Sequence, residues 1–535
     1  SKSMILAGYK HLTGGGAAPR RAFIEDHLVS KAPRSHSGVL VVTVFTSAFP
    51  DVDGKKQTFS CQWNCYYCPN EPGQPRSYLL NEPGVRRANR LDFDPVRQFD
   101  DRVRALQAIG HPADKVELLV LGGTWESYPP AYRERFVRDL FYAANTYYDE
   151  GGEGATTRRP PLPLAEEHRR NETARCKIIG LTLETRPDTI NPAMLVDLRR
   201  LGCTRVQLGV QHTNDGILRL VNREATRADT VRAIRLLKDA CFKVDIHLMP
   251  DLPGATPELD VAMFDDVLSS PDLQADQWKI YPCMTTPWSV IQTWYEQGKY
   301  RSYGLESLMA VILHAKRRVH PWIRLNRVIR DIPVEYVLEG VEVTNLRQLL
   351  QIRLRQESPD GRGCQCIRCR EIKSAADATA LARTAVLRRR DYAGSRGREV
   401  FLSFETPDAQ HLFAFLRLRI VTQADQRPDE ASPFPELAGC ALVRELHVYG
   451  NLVVARPAAA TAGKSSSSSS SWLPSWLRFG GASASPPSAA ASTSEERLEV
   501  RPNASGVDED DETPLSRQHR PQQQPQQPSP ASSPS

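Results

Sequence analysis

From Val39 to Tyr281 short apolar runs alternate with stretches of helical period. The runs Val39–Phe45, Val116–Leu121, Ile178–Leu183, Val206–Val210, Val244–Leu248 and Trp278–Tyr281 predict buried strands. Between them, Ala131–Tyr147, Pro192–Leu201, Ala228–Ala240 and Leu259–Leu268 carry apolar residues at helical spacing. Strand and helix in alternation predict an α/β fold with a parallel sheet and right-handed crossovers. Six strands are too few for the closed eight-stranded barrel, so a partial (β/α) barrel is expected, its functional loops at the carboxyl ends of the strands.

Beyond Tyr281 the pattern changes. Residues 38–300 form the first domain in this reading, and 301–390 read as a basic, helical linker. Val400–Glu405, Leu412–Ile420 and Cys440–Tyr449 alternate like antiparallel strands, so 391–456 reads as the front half of a small α+β domain. Residues 1–37 form a basic amino-terminal arm. From 457 to 535 come seven serines (Ser465–Ser471), an Ala/Ser/Pro stretch, acidic Asp508–Glu512 and a Gln/Pro tail. That composition buries too little apolar surface to offset conformational entropy, and disorder is expected. Trp472, Leu473, Trp476 and Leu477 interrupt it as a docking patch or merely a sticky spot.

Composition alters the picture in three ways. A chain of 535 residues exceeds a single compact core. The net charge of +6 says little about a polyanionic partner, but Lys316, Arg317, Arg318, Arg324, Arg327 and Arg330 lie in a stretch without an acidic residue. Arg388–Arg390 form a second cluster. The eleven cysteines fall mostly in two tight groups, which suits metal binding in a reducing compartment, cytoplasmic or nuclear, better than a disulfide framework. No membrane span or secretory leader is evident.

After the first strand stands Cys61-Gln-Trp-Asn-Cys65-Tyr-Tyr-Cys68. Thiolates at this spacing can share one inorganic cluster. A 4Fe-4S cluster normally takes four cysteines, so three leave an iron free to chelate S-adenosylmethionine, whose reductive cleavage yields a radical no side chain supplies. The competing reading is a zinc knuckle with a fourth ligand elsewhere. Gly122-Gly123-Thr124, after the second strand, offers either a close backbone approach to the methionine moiety or an ordinary turn.

Longer blocks carry a family resemblance: Phe59–Tyr78 around the cysteines, Gly110–Glu117 (G-H-P-A-D-K-V-E), Leu183–Asp188 (L-E-T-R-P-D), Met249–Gly254 (M-P-D-L-P-G), Arg330–Pro333 (R-D-I-P) and Arg444–Gly450 (R-E-L-H-V-Y-G). In that order they resemble the catalytic subunit family of Elongator. The resemblance implies a radical S-adenosylmethionine domain fused to a GNAT-type acetyltransferase domain. The expected activity is formation of 5-carboxymethyluridine at tRNA wobble position 34 from acetyl-CoA, with tRNA, acetyl-CoA and other Elongator subunits as partners.

Carried over residue by residue, the resemblance implies that Cys61, Cys65 and Cys68 hold the cluster and that Lys115, Glu445, Leu446, His447 and Val448 border acetyl-CoA. Without the family, Lys115 reads as a charge at a strand end and 445–448 as a half-buried strand. Lys279 is a candidate for the S-adenosylmethionine carboxylate, for an RNA phosphate, or for a plain surface lysine. Glu184 and Arg186 stand at a strand's carboxyl end, where a buried ion pair explains them equally well.

The stretch from Lys316 to Arg330 also contains His320 and Trp322, a mixture suited to phosphate contacts and base stacking, or else a solvated helix face. Cys364-Gln-Cys366-Ile-Arg-Cys369 suggests a structural zinc needing a fourth ligand, with His411, Cys440 and His447 as candidates. The chain departs from the family at the CoA loop, expected as Gln-His-x-Gly-x-Gly shortly after Arg444–Gly450. Here Gln518-His519-Arg520 comes far later, with Pro521, which has no N–H, in the glycine position. The expectation is a truncated acetyl-CoA half, by a reading-frame break or an unspliced segment rather than natural loss, and weak acetyl-CoA binding. Two other function classes remain open: a radical enzyme that no longer uses acetyl-CoA, and a noncatalytic tRNA-binding scaffold.

Overall fold

The computed structural model describes residues 37–449 apart from 60, 150–157, 344, 359–362, 373–377 and 422–431, together with residues 4–6, 8, 9 and 28. Most of the amino-terminal arm, the serine-rich tail, the Trp472–Leu477 patch and the Gln518–Pro521 stretch lie outside the described residues.

A seven-stranded, wholly parallel sheet organises the first part of the chain. Its strands are β1 (Leu40–Phe45), β2 (Lys115–Leu121), β3 (Lys177–Thr185), β4 (Arg205–Gln211), β5 (Lys243–Leu248), β6 (Gln277–Ile280) and β7 (Arg324–Arg327), in sequential order. Sequential order with right-handed crossovers curls the sheet into a half-barrel. Helices such as Pro95–Ala108, Pro130–Thr146, Arg227–Asp239 and Leu305–Arg318 cover the outside. Val42, Val116, Leu118, Val206, Leu208, Val244, Ile246, Trp278 and Leu325 point into that helical layer and form the main core. Strand residues of the opposite parity turn inward: Glu184, Gln207, Asp245, His247 and Lys279 make the lumen polar.

Two expectations need correcting at the level of elements. The sheet has seven strands rather than six, because Arg324–Arg327 pairs with β6 where a helical linker was expected. Only Leu325 of that strand enters the core, while Arg324 and Asn326 face the lumen side, so it carries no apolar run. Likewise Val386–Gly394, whose first five residues read as linker with an arginine cluster and whose last four fall in the GNAT-like part, is one strand with alternate residues half-buried.

That strand, β8, opens a four-stranded antiparallel sheet with β9 (Gly397–Glu405), β10 (Leu412–Ile420) and β11 (Ala441–Val448). It occupies the stretch expected to begin the GNAT-like part. Its charged face packs on the amino-terminal ends of β5 and β6. There Arg444 grips Asp276 with two 2.7 Å hydrogen bonds and donates to Glu399 at 2.8 Å, and Arg419 donates to Glu399 at 2.8 Å and to Asp239.

Candidate functional site

At the carboxyl end of β2 the chain makes a turn that only glycine fits. Gly122 has φ +140°, and a Cβ there would stand 1.8 Å from Thr46 Oγ1; Gly123 has φ +103°, with the Arg76 carbonyl 3.4 Å from its Cβ position. Thr46 and Tyr128 lock the turn: Thr46 Oγ1 donates to Tyr128 Oη (2.8 Å), which donates to the Gly122 carbonyl (2.8 Å). Phe59, leading into the cysteine loop, stacks on Tyr128 with ring centroids 4.0 Å apart. The loop is thereby set against the turn, and Cys61 Sγ lies 3.7 Å from Thr124 Oγ1.

Cys65 is buried, with the Arg186 and Arg223 guanidinium groups 3.5 Å and 3.6 Å from its sulfur. Burial alone would raise its thiol pKa, but Arg223 and Arg186 outweigh burial and lower it. Cys68 moves the other way, because burial dominates over Arg76. Three thiols, a cation-lined sulfur and an open glycine backbone fit the 4Fe-4S group with S-adenosylmethionine.

Inside the half-barrel Tyr78 donates to Glu184 Oε2 (3.1 Å), and His247 Nδ1 stands 3.6 Å from Glu184 Oε1. Burial, reinforced by Lys279, lowers the His247 pKa well below its usual value, which disfavours the charged imidazolium at this contact. His247 Nε2 and Asp245 Oδ1 are buried without a hydrogen-bond partner among the described residues. Lys279 is buried and donates to Gln207 at 2.6 Å, which corrects the surface reading of that lysine. Beside the glycine turn, burial pushes the Glu126 carboxyl up to about 7. Sequence reasoning missed Arg223, Tyr78, Asp245 and His247. The signal was the polar alternate residues in strands read as uniformly apolar, such as Asp245 and His247 within Val244–Leu248.

Lys115 opens β2 at the opposite, amino-terminal end of the sheet, about 20 Å from Gly122 at the usual rise per residue. At that same end Glu445 accepts from Arg417 (2.8 Å) and lies 3.8 Å from Lys243. Burial opposes its ionisation, yet Lys243 and Arg417 hold the carboxyl down at about 2. His447 stacks on Phe415, while Leu446 and Val448 project from the other face of the sheet, 69% and 62% exposed. The stretch 445–448 therefore divides between two faces.

The expected basic surface also divides. Lys316 is fully buried, 3.9 Å from Cys369 Sγ, and cannot meet a nucleic acid. Arg324 pairs with Glu371 (2.7 Å) and Tyr449, and Arg330 with Glu82 (2.7 Å) over the Tyr78 ring. Trp322 is sandwiched between His320 and Tyr392, at 4.5 and 4.3 Å, which leaves no face for a base. Arg317, Arg318 and Arg327 keep exposed side chains.

Cys364, Cys366 and Cys369 hold their sulfurs within 4.8 Å of one another, a spacing that fits a tetrahedral ion. His411, Cys440 and His447 are not part of this group. No described helix is long and apolar enough to cross a membrane.

Residues 57–265 match the radical SAM superfamily and 275–356 the radical SAM C-terminal domain. The tRNA uridine(34) acetyltransferase of Methanocaldococcus infernus is 35% identical over 433 residues, 79% of this chain and 75% of that protein. Elongator complex protein 3 of Schizosaccharomyces pombe is 34% identical over 449 residues, 82% of this chain and 78% of its own length. The solved structure of M. infernus Elp3 with an amino-terminal deletion aligns with a TM-score of 0.61 at 32% identity, covering 77% of this chain and 83% of that one.

Proposed function

We propose, from the premise that this chain belongs to the family of Elongator complex protein 3 and tRNA uridine(34) acetyltransferase, that it modifies wobble uridine 34 of tRNA, forming 5-carboxymethyluridine from acetyl-CoA, with an acetyl-CoA half that reads as truncated and binds its ligand weakly. The observation that carries the reading is the Cys61/Cys65/Cys68 loop set against the Gly122–Gly123 turn at the mouth of a polar lumen. A 4Fe-4S cluster with S-adenosylmethionine supplies a 5'-deoxyadenosyl radical by one-electron reduction.

The residues of the chain divide the remaining work. Cys61, Cys65 and Cys68 hold the cluster. Gly122 and Gly123 let the backbone approach S-adenosylmethionine, and Thr124 lies beside Cys61. Glu184, His247 and Lys279 line the polar lumen of the half-barrel, where they face a reactive species. Lys115, Glu445 and His447, at the other end of the sheet, border acetyl-CoA. Arg317, Arg318 and Arg327 contact tRNA phosphates, Cys364, Cys366 and Cys369 hold a structural zinc, and other Elongator subunits are partners.

Anaerobic reconstitution with iron and sulfide, followed by incubation with S-adenosylmethionine, acetyl-CoA and tRNA, tests the reading. Formation of 5'-deoxyadenosine that requires both co-substrates and is abolished in Cys65→Ser is the expected result. Formation without acetyl-CoA would select a radical enzyme with another acyl-independent reaction. No formation in the unaltered protein would leave a tRNA-binding scaffold.

A further inference from the structure

The surroundings of the three cysteines are electrically lopsided. Cys65 Sγ receives Arg186 Nη1 at 3.5 Å and Arg223 Nη1 at 3.6 Å, and both guanidinium groups are buried. The nearest hydrogen-bonding side chain of Cys61 is the uncharged Thr124, and Cys68 is met by a single cation, Arg76, which also donates to Asn64 at 2.6 Å. Arg186 is fixed by Asp188, with Nε–Oδ1 2.9 Å and Nη2–Oδ2 2.7 Å, and lies 4.1 Å over the Trp63 ring. Its charge is therefore offset by a carboxylate. Arg223 instead donates its other nitrogen to the Gly209 carbonyl, a neutral acceptor, and no carboxylate pairs with it among the described residues. A buried cation without a bonded anion is costly unless something nearby carries negative charge.

We propose that Arg223, assisted by Arg186, is a positioning residue that raises the reduction potential of the cluster held through Cys65. The inference rests on the cluster assignment made above. Reduction adds one electron from an external low-potential one-electron donor such as dithionite. No bond forms or breaks and no proton moves, so the reduced group carries one more negative charge beside two fixed cations. Hydrogen bonds to ligand sulfurs and local charge are among the levers that set such potentials. Because Asp188 offsets Arg186, the larger share belongs to Arg223.

The test is an anaerobic redox titration of the reconstituted full chain, without S-adenosylmethionine or tRNA, followed by electron paramagnetic resonance. Arg223→Gln is expected to lower the reduction equilibrium at least tenfold, a negative shift of about 59 mV for a one-electron couple. Arg186→Gln should shift it less, and Arg223→Lys should remain nearer the parent. An unchanged midpoint in Arg223→Gln with full iron content overturns the proposal. If Arg223→Gln does not retain iron, Arg186→Gln decides, and a midpoint coinciding with the parent overturns it equally. Failure of the unaltered protein to assemble a four-iron cluster is a different outcome, which overturns the proposed function instead.

Discussion

Lys316 changes meaning once its surroundings are known. In the sequence it opens a basic stretch; in the fold its ammonium is sealed from water against Cys369. A divalent ion held by three thiolates carries net negative charge, and in a buried site that charge needs a counter-ion. With zinc bound as proposed, Lys316 would fill this role, and the thiolate charge would explain why a lysine is tolerated in so buried a position. The Lys316→Met protein should therefore release zinc to a chelator about tenfold faster than the parent, a difference of about 1.4 kcal/mol. Cys366→Ser should fail to retain it at all. Equal zinc retention by parent and Lys316→Met would remove the lysine from the site.

Among elements, β7 explains why the basic stretch was misread. Arg324–Arg327 has one core residue in four, so neither the apolar-run nor the alternation signal exists at that length. Its two inward residues are polar because the lumen is polar. The same reason hid Asp245 and His247 inside a run that looked apolar. The strands β1 to β6 were legible because their outer face packs on helices and takes Val, Leu and Ile. The cysteine loop and the glycine turn were legible because their chemistry is local in sequence. What could not be read was which charges meet across distant segments, such as Arg330 with Glu82 or Lys316 with Cys369. Pairing and exposure in and around β7 also separate the arginines by experiment. Reversing Arg324 or Arg330 leaves Glu371 or Glu82 facing a like charge in a buried setting and should destabilise the protein by about 3–5 kcal/mol. Neutralising Arg317, Arg318 and Arg327 together should leave thermal stability within a few degrees and weaken tRNA binding. If the three contact phosphates, the slope of log affinity against log salt should fall by about 2–3. A parent-like slope would move the tRNA surface elsewhere.

For the described molecule as a whole, the junction between the parallel and antiparallel sheets decides whether both ends of the lumen keep their geometry. The junction is ionic rather than apolar. Asp276 meets Arg444 and Arg417, Glu399 meets Arg444, Arg419 and Lys238, and all six side chains are buried. Burial opposes ionisation of both acids, but Arg444 and its neighbours outweigh it, depressing Asp276 strongly and Glu399 to about 2. A depressed carboxyl contributes stability that is complete above its ordinary range and lost as pH falls toward the folded value. For Glu399 that is on the order of 3 kcal/mol, lost between about pH 4.5 and 2. Lys238 acts on the other flank: burial lowers it to about 8, so its penalty is relieved as pH rises from about 8 toward 10.5. Asp276→Asn keeps the shape but strands Arg444 and Arg417 with half their compensation, a change that costs about 3–5 kcal/mol at neutral pH. Melting curves from pH 3 to 8 should therefore show the parent falling steeply below pH 4.5 and Asp276→Asn starting lower with a shallower acid limb, because one of the titrating groups is gone. Parallel acid limbs in the two proteins would mean that the network titrates outside the folding equilibrium and that the junction is held by something other than its charges.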